Sequence, residues 1–169
     1  MPDSAPDTYL RPLTPVDLPL YRALLMPGLD TDADSFRLAP EDEAEAPFPT
    51  QNRPDSFTLG AFVGETLAGV VSFEREGSNR VKLRHKGLLS RMYVSPNFRG
   101  QGLANRLLEA VVAQAKTLPG MEQINLTVVA TNPAKRLYER AGFQTFSTEI
   151  AAIKWRGTYL TENTMKRLL

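Results

Sequence analysis

Two closely spaced glycines open the stretch of this chain best suited to chemistry. The run Val94-Ser95-Pro96-Asn97-Phe98-Arg99-Gly100-Gln101-Gly102-Leu103-Ala104-Asn105-Arg106-Leu107-Leu108 reads as a strand end, a glycine turn and an amphipathic helix. A helix start leaves its first backbone N–H groups without helical acceptors. The aligned peptide dipoles add partial positive charge at the same spot, so an anion such as phosphate is favoured there. Glycine at 100 and 102 lets a ligand approach the backbone closely. Arg99 and Arg106 supply cationic side chains on either side. The arrangement is a candidate pyrophosphate cradle.

Two other phosphate motifs fit poorly. A P-loop needs Gly-Lys-Ser/Thr at the helix start, and here the residues are Leu103-Ala104-Asn105. A dinucleotide fingerprint needs a third glycine or alanine where Asn105 stands, and an acid at the end of the next strand. Glu122 has the right offset but precedes that strand. The absence of cysteine excludes a thiol nucleophile, a disulfide scaffold and Cys-ligated metal sites.

The elements that must position this turn follow from periodicity. Residues 9–13 form a short strand. Thr14 caps a helix with Pro15 at its first position, Leu18, Tyr21, Leu24 and Leu25 on its inner face, and Gly28 at its end. A second short helix is expected over 30–36. Residues 41–54 are acidic and proline-rich and read as an exposed loop. Strands at 57–63 and 66–74 join through Gly64-Glu65 as a hairpin, and another strand spans 88–94. The helix over 102–118 has Leu103, Leu107, Leu108, Val111, Val112 and Ala115 on one side, and Pro119-Gly120 stops it. A strand at 124–130 leads to Asn132-Pro133, which opens a helix ending at Gly142. Strands at 143–154 and 158–165 close the chain. A helix between strands 88–94 and 124–130 demands a parallel crossover, whereas short turns elsewhere demand antiparallel pairing. The class is α/β (α+β), with a mixed sheet. The length of 169 residues suits a single domain over 1–169.

Two blocks resemble the GNAT N-acetyltransferase superfamily. Arg99-Gly100-Gln101-Gly102-Leu103-Ala104 is similar to its Arg/Gln-x-x-Gly-x-Gly/Ala element. Val128 through Phe143, with Asn132, Tyr138 and Gly142-Phe143, is similar to its strand–Asn–helix–Tyr–Gly-Phe element. The order and spacing of the two blocks agree with that family, and Ser90 to Pro96 resembles the strand that leads in.

The resemblance implies acetyl-CoA as co-substrate, bound where two parallel central strands splay apart. The pantetheine arm would lie along Met92, Tyr93 and Val94, and the pyrophosphate on the N–H groups from Gln101 to Asn105. Asn132 is either a helix N-cap or a hydrogen-bond partner of the pantetheine, and both roles are compatible. Tyr138 is either a core aromatic or, as the resemblance implies, the acid that protonates the leaving thiolate. A strand N–H near Met92 to Val94 would stabilise the oxyanion. No acid precedes the turn, where the strand carries Arg91. Glu74 is therefore the first candidate base, Glu149 the second, and a water relay the third. His85, the only histidine, lies in a basic stretch with Arg80, Lys82, Arg84 and Lys86 and reads as a surface residue.

The implied activity is direct transfer of acetyl to a primary amine, small molecule or peptide. A longer acyl group and a non-catalytic acyl-CoA sensor are the alternatives. Net charge is +1, and no stretch has the ~20 apolar residues of a membrane span, so neither a nucleic-acid nor a membrane partner is expected. The expected location is cytoplasmic, with no metal. The last two strands resemble the dimer-forming hairpin of relatives, so a homodimer is expected.

Overall fold

A computed structural model describes residues 6–169 of the chain. The strands are β1 (Thr8–Leu13), β2 (Phe57–Val63), β3 (Thr66–Arg75), β4 (Lys86–Val94), β5 (Gln123–Val129), β6 (Gln144–Trp155) and β7 (Thr158–Leu168). The helices are α1 (Leu18–Thr31), α2 (Pro40–Ala44), α3 (Leu103–Lys116) and α4 (Ala134–Arg140). One sheet holds the strands in the order β1-β2-β3-β4-β5-β7-β6. Among the described residues only β4 and β5 pair in parallel, joined through α3 as the sequence requires. The class expected from sequence, a mixed and mostly antiparallel sheet flanked by helices, is the one observed.

The central strands are apolar on both faces, because helices cover both. Along β3, Ala68, Val71 and Phe73 join one core with α3, while Leu67 and Val70 join a second with α1. Alternation at period 2 sends the neighbours Val70 and Val71 to opposite faces, and a bulge at Ala68, between the pairs Ala61–Gly69 and Phe62–Leu67, shifts the phase so that Leu67 shares a face with Val70. Leu103, Leu107, Leu108, Val111, Val112 and Ala115 of α3 are all buried. Fully burying a leucine or valine contributes about 1.5–3 kcal/mol, so this stripe anchors the glycine turn that precedes it.

Two irregularities shape the centre of the sheet. Val70 pairs with Tyr93 and Ser72 with Ser90, so β4 carries one extra residue against β3. Arg91, in that bulge, has φ +54°. The parallel ladder between β4 and β5 covers only Lys86–Gln123, Gly87–Ile124 and Leu88–Asn125. Beyond it the strands part, and β5 remains paired with β7 from Gln123–Leu168 to Val129–Glu162.

Several expectations need correction. The first helix does not stop at Gly28 but runs to Thr31. Gly28 is a contact glycine, packed against the Tyr93 ring. The helix expected over 30–36 is only a 3-10 turn, Ala33–Ser35. The acidic segment 41–54 is not simply an exposed loop. Glu43 at 0% exposure and Phe48 at 3% are buried, and Phe48 meets Tyr21 edge to face. Pro133 is the residue before α4 rather than its first turn. Phe143 lies before β6 and is buried against Tyr138. The polar residues 1–7, with prolines at 2 and 6, read in sequence as a frayed tail. Residues 1–5 lie outside the described residues, and Asp7 is tied down by the Gly64 N–H at 2.8 Å.

Candidate active site

Two cavities flank the opening between β4 and β5. The larger, about 550 Å³, is bounded by Met92 to Val94, the glycine turn, and the start of α4. Its floor is the cradle expected from sequence. Gly100 and Gly102 have φ of +76° and +78°, and a Cβ built on either would meet nothing within 4 Å. Both conformations are costly for other residues, and the space above them is open. The first N–H to find a helical acceptor is that of Arg106, which donates to Gly102 O at 3.0 Å. The N–H groups of Leu103, Ala104 and Asn105 precede it and remain available to a ligand. This donor set fits a pyrophosphate.

Arg99 is built into the cleft wall. Its Nε donates to Val94 O at 2.9 Å and its Nη2 to Asp32 at 3.0 Å. Tyr93 turns its ring away from the sheet edge, between Gly28 and Phe36. Burial raises its phenol pKa. Gln101 is exposed on the turn.

The smaller cavity, about 270 Å³, holds Glu74, Arg91, Tyr138, Glu162 and Arg37. Tyr138 stands on α4, with its ring against Phe143 at 6.0 Å. Burial pushes its phenol well above the usual value, so it stays protonated. Glu74 comes from β3, where it pairs with Leu88, and forms an ion pair with Arg53. Glu162, on β7 opposite Val129, is almost wholly buried and accepts from Nε and Nη2 of Arg37 at 2.9 and 2.8 Å. Asn132 caps the loop before α4, its Oδ1 accepting from the Ala134 N–H at 2.9 Å. Ser35, Met92, Asn132 and Ala134 line both cavities, which therefore form one slot where β4 and β5 part.

Residues 26–143, more than half of the chain, match the acetyltransferase (GNAT) family. The chain belongs to that family. Its enzyme class is accordingly that of an acyl-CoA-dependent N-acetyltransferase. Solved structures agree on the fold. A GCN5-related N-acetyltransferase from Kribbella flavida superposes with a TM-score of 0.81 at 22% identity, over 96% of this chain and 98% of its own. A GNAT-family acetyltransferase from Streptococcus pneumoniae gives 0.78 at 24% identity, over 96% and 100%. The protein yncA of Salmonella typhimurium, solved with its cofactor acetyl-CoA, gives 0.78 at 19% identity, over 96% and 94%.

Within this GNAT fold the slot brings together Met92, Tyr93, Val94, Arg99, Asn132 and Tyr138 with the glycine turn, and it draws Glu74 to the Tyr138 side. Glu149 is exposed and lines neither cavity. Sequence reasoning missed Arg37, Glu43 and Glu162 and left Arg91 without a role. One signal was present for Glu162. It is an acid at a position in β7 whose neighbours Asn163 and Met165 are also buried.

Proposed function

We propose that this protein transfers an acetyl group from acetyl-CoA to a primary amine by direct attack. The observation that carries the reading is the slot: a cradle of free N–H groups on one side, Tyr138 and carboxylates on the other, meeting at Met92 and Asn132. The backbone N–H groups from Gln101 to Asn105 hold the pyrophosphate, and Met92 to Val94 offer the unpaired strand edge to the amide-bearing arm. Asn132 already spends Oδ1 on its cap and has Nδ2 free for that arm. Acetyl-CoA bound there supplies the acetyl group as an activated thioester.

The chain's own residues then move protons. Glu74, directly or through water, takes one proton from the ammonium and frees its lone pair. Tyr138 Oη donates to the departing sulfur and is reprotonated as the amine loses its second proton. One N–C bond forms and one C–S bond breaks. An ammonium and a thioester become an amide, a thiol and one released proton. A backbone N–H in the Met92 to Val94 edge serves as the oxyanion donor. No side-chain nucleophile is needed, in keeping with a chain that has no cysteine.

The second element of the reading is a homodimer through β6. That edge strand is 12 residues long and mostly exposed. Phe146 is 51% exposed and Ile150 83%. A long edge with outward apolar groups is covered most simply by a second copy across a two-fold axis.

The test of the activity is calorimetry with acetyl-CoA followed by amine-dependent release of free thiol. Binding and release are expected. A protein that binds no acetyl-CoA, or binds it and releases thiol with no amine, would contradict the reading.

A further inference from the structure

Six side-chain atoms among the described residues are buried without a hydrogen-bond partner, and four of them lie in one cluster. These are Tyr21 Oη, both carboxylate oxygens of Glu43, and Arg91 Nε. Arg91 Nη2 stands 3.6 Å from Glu43, close enough for charge attraction and too far for a hydrogen bond. Arg91 also lines the smaller cavity, beside Glu74, Glu162 and Tyr138. Resting on the acetyltransferase reading, we propose that Arg91 anchors a carboxylate of the acceptor, which is a small zwitterion of the α-amino-acid type.

The backbone at Arg91 supports a functional role. A long side chain with φ +54° is strained, and such strain persists where the surroundings over-determine it, commonly at ligand clamps. Here the bulge between β3 and β4 sets the direction and Glu43 holds the guanidinium from behind. A guanidinium offers five N–H donors in a planar fork that matches a carboxylate. Arg37, the other cation in the cavity, spends its Nε and Nη2 on Glu162. Arg91 leans on Glu43 through Nη2 and encloses its Nε, but it donates no hydrogen bond among the described residues, so its terminal nitrogens keep donors for a ligand.

Charge balance selects the rest of the acceptor. The cavity and its backing hold three ion pairs: Arg37 with Glu162, Arg53 with Glu74, and Arg91 with Glu43. The set is neutral. A zwitterion adds one charge of each sign, its carboxylate toward Arg91 and its ammonium toward Glu74 or Glu162. A diamine or a dicarboxylate would add two charges of one sign to this neutral set and leave one without a counter-charge. The volume of about 270 Å³ lies below the ~300–1,000 Å³ usual for ligand pockets, so the acceptor is small.

The experiment offers the protein saturating acetyl-CoA and a panel: the protein-forming amino acids, their carboxamides, putrescine, and a short peptide with an amidated C-terminus. Thiol release is measured. At least one free amino acid should react with kcat/KM about 10-fold or more above its carboxamide, the discrimination expected of a charged hydrogen bond. Arg91→Lys keeps the charge that balances Glu43 and removes the fork. It should raise KM for the acid and bring acid and carboxamide to within about 3-fold, with acetyl-CoA affinity retained as the sign of correct folding. Equal use of acid and carboxamide overturns the inference. So does reaction of putrescine or the peptide alone, or silence of every free amino acid in a protein that binds acetyl-CoA. Failure to bind acetyl-CoA overturns the acetyltransferase reading itself, and this inference with it.

Discussion

The Tyr93 ring occupies the space that a side chain at Gly28 would need. A Cβ built on Gly28 would stand 2.5 Å from Tyr93 Cζ and 2.7 Å from its hydroxyl. The contact joins α1 to the strand whose free edge faces the cleft. Glycine to alanine inside a helix ordinarily stabilises by about 1 kcal/mol. Here overpacking of about 1–3 kcal/mol opposes that gain, because the ring is wedged against Phe36 at 5.5 Å. Gly28→Ala should therefore lower Tm and also weaken acetyl-CoA binding, since the displaced ring belongs to the β4 residue that borders the larger cavity. A thermal melt and a titration on the same variant check this. A raised Tm would refute the packing argument.

The glycine turn gives the opposite case. A Cβ at Gly102 meets no protein atom, so its cost in the free protein is the φ of +78° alone. That cost is about 1–2 kcal/mol. Gly102→Asp adds a negative charge beside the pyrophosphate position as well. Acetyl-CoA affinity should fall by about 10-fold or more while the free protein still folds. Unchanged calorimetric affinity would move the pyrophosphate elsewhere.

Tyr138→Phe removes one oxygen from a well-packed ring. Turnover should drop by about 10²-fold, with acetyl-CoA affinity close to that of the parent. Lost stability with normal turnover would make Tyr138 a core residue only. Burial raises the folded pKa of this phenol above its unfolded value near 10. The neutral form is thus favoured in the native state. Its contribution to stability is complete below about pH 10 and is lost as the pH rises beyond it. Ionisation of Tyr138 should therefore produce no alkaline limb in kcat below about pH 10.

Glu74 lines the smaller cavity together with Tyr138 and is countered by Arg53. If it takes the amine proton, Glu74→Gln should lower kcat by about 10-fold or more and leave acetyl-CoA affinity alone. Part of the rate should return at high pH, where more amine is already neutral. A parental rate and pH profile in this variant would pass the role to Glu162 or to water. Glu162→Gln is then the informative comparison.

Assembly through β6 predicts a dimer in light scattering across a wide concentration range. Ile150, 83% exposed on that strand, is the residue to change. Ile150→Lys should shift the species to monomer with little change in Tm of the fold, because an exposed side chain contributes little within one copy. A parent that is monomeric at every concentration would end the proposal.

Local physics made the cradle and the helix stripe legible in the sequence. A glycine pair before a helix exposes donors whatever surrounds it, and the apolar positions of 103–115 face inward by helical period alone. Asn132 and Tyr138 were readable for a similar reason, since a seven-residue helix fixes the spacing between its cap and its inner face. Other features depend on residues far apart in the chain. Gly28 reads locally as a helix stop, and only Tyr93, arriving from β4, makes it a contact. Glu43 reads as one more acid in a polar loop, yet it is buried because α2 folds down beside Arg91. Glu162 and Arg37 are 125 residues apart and meet only because β7 is inserted between β5 and β6. The sequence by itself determined the family, the crossover and the glycine turn that opens α3, all of which rest on short-range pattern. Tertiary structure alone decided which charges line the smaller cavity, because burial and ion pairing belong to the assembled sheet and not to any segment of the chain.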